Sequence, residues 1–177
     1  MNRRLAQGFQ GEGVRVRHAP VDAVVALGTN LGDREGTMAA AIDELGRLPL
    51  VEAVRASAPL ESVAVTLEGP DASAPAYLNA VAIVTTRLAP SVLLGFLHAI
   101  EQRHGRERRV RWGDRTLDLD LIAYADLVSD DPALLVPHPR AAERDFVLAP
   151  WLQLDPDATL PGIGRVDAAL ARLRDAG

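Results

Sequence analysis

One stretch decides the fold of this 177-residue chain: Arg111-Trp112-Gly113-Asp114-Arg115-Thr116-Leu117-Asp118-Leu119-Asp120-Leu121-Ile122. Because side chains alternate between the two faces of a β-strand, Asp118 and Asp120 should point the same way, with α-carbons roughly 6.5–7 Å apart. The intervening leucines should point the other way, into a core. The pattern therefore predicts a strand that is apolar on one face and carries two carboxylates on the other.

Two aligned carboxylates beside arginines predict a site for a metal and a phosphate. Like charges this close repel each other unless a cation lies between them. Mg²⁺ binds through one or two carboxylates together with substrate phosphates, and Arg111 and Arg115 carry the side chain that best matches phosphate oxygens. The alternative is an ordinary amphipathic strand whose aspartates face water.

Length and composition predict one domain with a sizeable core, since 48% of the residues are hydrophobic. We expect a flexible N-terminal tail over residues 1–20 and a single domain over residues 21–177. The chain has no cysteine, which excludes disulfides and zinc–thiolate sites and fits a reducing, cytoplasmic location. No apolar run approaches the ~20 residues of a membrane-spanning helix, so we expect no membrane partner.

The charged residues narrow the function further. All 19 basic residues are arginines, which excludes a P-loop lysine and a Schiff-base lysine. The net charge of −5 argues against a nucleic-acid binder. From Glu101 to Arg115 the sign reverses, with six arginines and three acidic residues. This segment indicates a small anionic ligand; the alternative is a solvated helix end, where cations are favoured.

The order of predicted elements indicates an α+β fold. We predict strands over Asp22–Leu27, Val51–Glu61, Tyr77–Arg87 and Asp118–Tyr124, helices over Arg34–Leu48 and Pro90–Gly105, and C-terminal helices over Ala141–Leu152 and Val166–Asp175. The order βαββαβ is typical of a ferredoxin-like core, an antiparallel sheet with helices packed on one face. The C-terminal helices are additions to this core, and the open face with its loops should build the site.

Four motifs in this order carry a family resemblance. They are Leu27-Gly28-Thr29-Asn30-Leu31-Gly32-Asp33, Tyr77-Leu78-Asn79-Ala80-Val81, the stretch quoted first, and Val136-Pro137-His138-Pro139. Through them the chain resembles the 6-hydroxymethyl-7,8-dihydropterin pyrophosphokinases of folate biosynthesis, over roughly residues 22–165. The resemblance implies a transferase that moves pyrophosphate from ATP to the pterin's hydroxymethyl group and releases AMP.

The resemblance also implies a role for individual residues. As metal ligands it implies Asp118 and Asp120, holding two Mg²⁺ ions. The implied catalytic set is Asp118, Asp120, Arg106, Arg108 and Arg115. The implied ATP ligands are Glu101, Arg108, Arg111, Trp112, Arg115, Leu121, His138 and Arg144. The implied pterin ligands are Tyr77, Asn79, Phe146, Ser62 and Trp112, with Trp112 closing over the site as part of a mobile loop.

Several residues keep a second interpretation. Tyr77 and Phe146 are also consistent with plain core aromatics, and His138 with a surface turn. Asn79 is harder to explain without a ligand, because a buried amide needs hydrogen-bond partners. The chain departs from the family at Asp114, where proline is usual, which places a negative charge beside the expected phosphate site.

Two other functions compete with the pyrophosphokinase. One is a non-catalytic ferredoxin-like module that binds a nucleotide or RNA, although the acidic balance and the 4% aromatic content disfavour it. Another is a different metal-dependent nucleotidyl or phosphoryl transferase with the same acidic pair. For the leading function we expect ATP and 6-hydroxymethyl-7,8-dihydropterin as small-molecule partners, no nucleic acid, and functional coupling to neighbouring folate enzymes.

Overall fold

A computed structural model of the chain describes residues 19–62, 64–66, 69–71, 76–105 and 116–176. The strands are β1 (Val21–Thr29), β2 (Val51–Ala56), β3 (Leu60–Ser62), β4 (Ala64–Thr66), β5 (Gly69–Asp71), β6 (Tyr77–Thr86), β7 (Asp118–Tyr124), β8 (Ser129–Asp131), β9 (Leu134–Val136), β10 (Thr159–Leu160) and β11 (Gly164–Arg165). The helices are α1 (Arg34–Gly46), α2 (Pro90–Arg103), α3 (Asp145–Leu154) and α4 (Val166–Asp175), with a 3-10 turn over Ala141–Glu143.

The central sheet confirms the predicted α+β, ferredoxin-like arrangement. Its strand order is β2-β6-β1-β7, every pair is antiparallel, and β3 also pairs with β6. The first and last strands of the βαββαβ unit therefore lie side by side. Three short hairpins, β4–β5, β8–β9 and β10–β11, lie outside this sheet.

The sheet is covered on both faces, whereas the sequence predicted helices on one face. The first core lies between the sheet and helices α1 and α2, and contains Leu27, Leu97 and Leu119. A second core lies on the opposite face, where α3 and α4 pack with residues such as Val81 and Leu148. The C-terminal helices thus cover part of the face that was expected to be open.

The prediction of one continuous strand over Val51–Glu61 is wrong, because the structure divides this segment into β2 and β3. Between them Ser57 takes over the pairing with β6. Its backbone N–H donates to the carbonyl oxygen of Val81 at 2.9 Å, and its hydroxyl oxygen accepts the N–H of Val81 at 3.1 Å. A side chain that replaces a backbone acceptor interrupts the ladder.

The turn between β1 and α1 contains a helix cap. Asp33 accepts the backbone N–H of Gly36 at 2.9 Å through its side chain, which satisfies one of the free donors of the first helical turn. In the part of the chain that the structure describes, no helix is both long and apolar enough to cross a bilayer.

Some predicted residues lie outside the described residues. They are Arg106, Arg108, Arg111, Trp112, Asp114 and Arg115, and, from the predicted tail, residues 1–18. The domain boundary at residue 20 stays a prediction.

Candidate active site

Strand register places the predicted polar residues in two rows on the face of the sheet that carries the second core. Gly28 of β1 is paired with Asn79 of β6 on one side and with Asp118 of β7 on the other. Because directly opposite residues point to the same face, Asn79 and Asp118 share this face. One row further along, Asp120 lies opposite Ala26. The two aspartates and the asparagine therefore lie on one surface, as the alternation predicted.

The end of β6 forms the part of the site that was expected to bind the pterin. The side-chain amide of Asn79 donates to the hydroxyl oxygen of Ser62 at 2.7 Å, which orients a nearly buried polar group. Tyr77 is paired with Ser62 across the ladder. Three of the predicted pterin ligands are thus brought together, and the carbonyl oxygen of Asn79 lies over β1.

Gly28 makes this arrangement sterically feasible. A β-carbon built on Gly28 would lie 3.3 Å from the side-chain oxygen of Asn79 and 4.0 Å from a ring carbon of Tyr77. The first distance is tighter than an ordinary van der Waals contact, so any larger residue would displace the amide. The lack of a side chain at Gly28 leaves room above the strand, between the asparagine and Asp118.

Arg144 and Asp120 form an ionic contact within the described part of the site. A terminal nitrogen of Arg144, Nη1, donates to Oδ2 of Asp120 at 2.7 Å. The side chains are 19% and 30% exposed, so water screens this pair only in part. The guanidinium carbon of Arg144 also lies 5.9 Å from the centroid of the Phe146 ring, within the range of a cation–π contact.

A β-bulge positions His138 beside the same carboxylate. Val24 and Val25 of β1 pair with Ala123 and Leu121, which leaves Ile122 as an extra residue in β7. The carbonyl oxygen of Ile122 accepts the backbone N–H of His138 at 2.8 Å. Nε2 of the imidazole then lies 3.9 Å from Oδ2 of Asp120.

The surroundings of His138 favour its neutral form. Burial lowers the pKa of His138, Asp120 acts in the opposite direction, and the positive charge of Arg144 lowers the pKa further. Nδ1 accepts the backbone N–H of Arg140 at 3.2 Å, so the hydrogen-bond network assigns the ring proton to Nε2. The imidazole therefore presents a neutral N–H donor toward the carboxylate surface.

Two of the residues predicted to bind ATP are largely buried. A carboxylate oxygen of Glu101 accepts the backbone N–H of Leu119 at 2.9 Å, between the two aspartates of β7, so this side chain holds the strand that carries them. Leu121 belongs to the first core, on the face opposite the aspartates. A role for its side chain at the nucleotide stays a prediction.

The donor set agrees with the predicted metal. In the part of the chain that the structure describes, no group of three or more His, Cys, Asp or Glu residues could enclose an ion by itself. Asp118 and Asp120 provide two hard oxygen donors on an open surface, and Mg²⁺ commonly takes its remaining ligands from substrate phosphates and water. The residues present therefore fit Mg²⁺.

Two features of the site were missed in the sequence. Gly28 was quoted within a motif but was given no role, although a glycine at the end of a buried strand often marks a close approach of another group. The bulge at Ile122 was also missed. Its signal is the loss of alternation, since Leu121, Ile122 and Ala123 are three consecutive apolar residues.

Comparison with a family model gives the same assignment as the motifs. Residues 24–156 match the family described as 7,8-dihydro-6-hydroxymethylpterin-pyrophosphokinase (HPPK). The chain belongs to this family. The match includes every described residue of the candidate site, from Gly28 to Phe146.

Relatives of known name support the membership in the HPPK family. A Pseudomonas aeruginosa protein named 2-amino-4-hydroxy-6-hydroxymethyldihydropteridine pyrophosphokinase is 44% identical over 137 residues, which are 77% of this chain and 82% of that protein. A Synechocystis protein of the same name is 40% identical over 143 residues, which are 81% of this chain and 71% of that protein.

A solved structure shows the same fold at low sequence identity. The HPPK-DHPS triple mutant of Plasmodium falciparum superposes with a TM-score of 0.62 and 12% identity, over 89% of this chain. This chain spans 45% of that longer one. The likeness confirms the fold class, whereas the functional assignment rests on the relatives that are similar in sequence.

Proposed function

We propose that this HPPK-family chain transfers pyrophosphate from ATP to 6-hydroxymethyl-7,8-dihydropterin, and that Asp118 and Asp120 hold two Mg²⁺ ions for this reaction. The hydroxymethyl oxygen would bond to the β-phosphorus while the bond from that phosphorus to the AMP oxygen breaks, and the hydroxyl proton leaves. The observation that carries the proposal is the row Asn79–Gly28–Asp118, which sets an amide for a heterocycle beside a carboxylate for a metal.

The chain's own residues have distinct parts in this proposal. Asn79, oriented by Ser62, would bind the edge of the pterin, and Tyr77 and Phe146 would contact its faces. Arg144 and His138 would bind the triphosphate as a charged and a neutral donor. When bound, Mg²⁺ would neutralise charge on the phosphates. Glu101 keeps β7 in place, and the predicted arginines of 106–115 would add phosphate contacts.

The product of the reaction tests the proposal. ATP, Mg²⁺ and hydroxymethyl-dihydropterin are incubated with the protein, and nucleotides and pterins are separated by chromatography. AMP and pterin diphosphate should form in equal amounts, and the Asp118→Asn, Asp120→Asn double variant should form neither. ADP as the stoichiometric product would assign the chain to another phosphoryl transferase.

The non-catalytic nucleotide- or RNA-binding module is not favoured, since the relatives of the chain are named as pyrophosphokinases. We further propose a cytoplasmic location, where ATP is supplied, and functional coupling to neighbouring folate enzymes. The coupling is supported by a Lactococcus lactis relative named "Bifunctional protein FolKE", which is 35% identical over 84% of this chain and of which this chain spans 41%.

A further inference from the structure

We propose that Arg144 guards Asp120 against free metal ions, so that the metal and the triphosphate can enter the site only together. The proposal rests on the function proposed above, and it goes beyond the binding of phosphate by Arg144. It assigns to one arginine two alternative partners, a carboxylate of the protein before the nucleotide binds and the nucleotide's phosphates afterwards.

The contact between Arg144 and Asp120 occupies one of the two carboxylate oxygens with which Asp120 could hold a metal ion. Nη1 of Arg144 lies 2.7 Å from Oδ2 of Asp120, and Nε2 of His138 lies 3.9 Å from the same oxygen. A cation that approached this oxygen would meet a guanidinium whose charge is permanent. Free Mg²⁺ would also have to give up tightly held water to replace it. The carboxylate is therefore neutralised by the protein itself.

A triphosphate changes this balance because it offers Arg144 a better partner. Phosphate oxygens accept paired hydrogen bonds from a guanidinium, and a triphosphate carries more negative charge than one carboxylate. The same guanidinium lies 5.9 Å from the centroid of the Phe146 ring, and a contact with a ring face does not use the N–H groups of a guanidinium. When Arg144 turns to the phosphates, Asp120 loses its counter-ion and becomes a ligand for the metal that accompanies them.

If Arg144 acts in this way, the binding of the metal and the binding of the nucleotide are coupled, and such coupling is reciprocal. If the nucleotide raises the affinity for metal by some factor, then the metal raises the affinity for the nucleotide by the same factor. Removal of the Arg144 guanidinium should increase the affinity of the nucleotide-free protein for metal. It should also reduce the factor by which the metal and the nucleotide raise each other's affinity. The chain offers a matched control in Arg140, whose side chain is 51% exposed and pairs with Glu143 at 3.2 Å.

The test measures binding of Mn²⁺ alone to the nucleotide-free protein, by loss of the free-ion electron paramagnetic resonance signal. Arg144→Gln should bind Mn²⁺ roughly ten-fold more tightly than the unaltered chain, a factor within the usual range of such couplings. Arg140→Gln removes the same charge nearby and should stay within about two-fold. Arg144→Lys, which keeps the charge, should stay close to the unaltered chain. Circular dichroism melting is recorded for each variant.

Two further arms separate this proposal from the proposed function. Adding Asp120→Asn to Arg144→Gln should return Mn²⁺ binding to the weak level, and a non-hydrolysable ATP analogue should remove most of the difference between Arg144→Gln and the unaltered chain. Equal Mn²⁺ affinities for Arg144→Gln and Arg140→Gln would overturn the guard. If replacement of Asp118 and Asp120 did not change Mn²⁺ binding in the presence of the analogue, the metal site of the proposed function would be overturned instead.

Discussion

At the scale of single residues, the two aspartates of β7 are chemically similar but differ in their surroundings. Asp120 has Arg144 at 2.7 Å and His138 at 3.9 Å from one oxygen. Asp118 lies one row further along, opposite Gly28. Replacement of either residue should damage the reaction, and replacement of Asp120 should also remove the ionic partner of Arg144.

Removal of either carboxylate should lower turnover steeply. We expect Asp118→Asn and Asp120→Asn to lose roughly 10²–10⁴ in kcat, equivalent to ~3–5 kcal/mol of transition-state stabilisation. Asp120→Ala should also lower the melting temperature in chelator, because it leaves the mostly buried Arg144 without its carboxylate. The surface variant Asp157→Asn is the control. Near-normal turnover in both site variants would show that the aspartates are structural.

Gly28→Ala should act on the pterin and spare the nucleotide. The new methyl group would lie 3.3 Å from the oxygen of Asn79 and would push the amide by a few tenths of an ångström. We therefore expect a higher KM for the pterin and a nearly unchanged KM for ATP, measured by initial rates. Gly46→Ala, at a position where a β-carbon meets no atom within 4 Å, is the control. Equal changes in the two KM values would argue for a general distortion of β1.

At the scale of elements, α1 and α2 are joined by charge at the end that leads into the arginine-rich segment. Nε of Arg103 donates to one oxygen of Glu44 at 2.9 Å, and Nε2 of His104 lies 2.7 Å from the other. Burial raises the pKa of Glu44, but the hydrogen bonds from Arg103 and His104 outweigh it and hold the pKa below the ordinary value of 4.5. The carboxylate therefore favours its charged form.

The lowered pKa predicts a pH-dependent loss of stability. A carboxyl group with a pKa lower in the folded than in the unfolded chain stabilises the fold above the unfolded value and loses this contribution as the pH falls through the folded value. Glu44→Gln should thus lower the free energy of unfolding at pH 7, and the difference should shrink below about pH 4.5. Urea unfolding at several pH values measures it. Asp43→Asn, which breaks an exposed pair with Arg47, is the control. A pH-independent difference would contradict the assignment to charge.

The bounds of a helix or strand were predicted well where one hydrophobic periodicity determines them, and poorly where tertiary contacts determine them. The alternation from Leu117 to Leu121 indicated a strand, which we predicted over Asp118–Tyr124, and the structure has the same bounds. The break at Ser57 could not be predicted, since it depends on a hydrogen bond to Val81, 24 residues away. The position of α3 on the second face was also missed, because an amphipathic helix does not reveal which surface it covers. The ion pair of Arg144 with Asp120 has no local signal at all.

At the scale of the whole molecule, two cores on opposite faces share one sheet. Every strand of the βαββαβ unit except β2 contributes to both, so the α3–α4 layer should unfold together with the rest. Leu148→Ala, at a fully buried position of the second core, should lower the free energy of unfolding by ~2–5 kcal/mol in a single transition. Val128→Ala, at a position that is 65% exposed, should change it by less than about 0.5 kcal/mol. Separate melting of α3 and α4 would contradict the shared sheet.

The central position of β1 has a consequence for how the protein is made. This strand is synthesised before its two neighbours, β6 and β7, which end at Thr86 and Tyr124. At about 5–20 residues per second, a ribosome needs roughly 5–20 s to add the ~95 residues between the end of β1 and the end of β7. During this interval the apolar strand has at least one unpaired edge, and such an edge can pair with another chain until β7 is available to cover it.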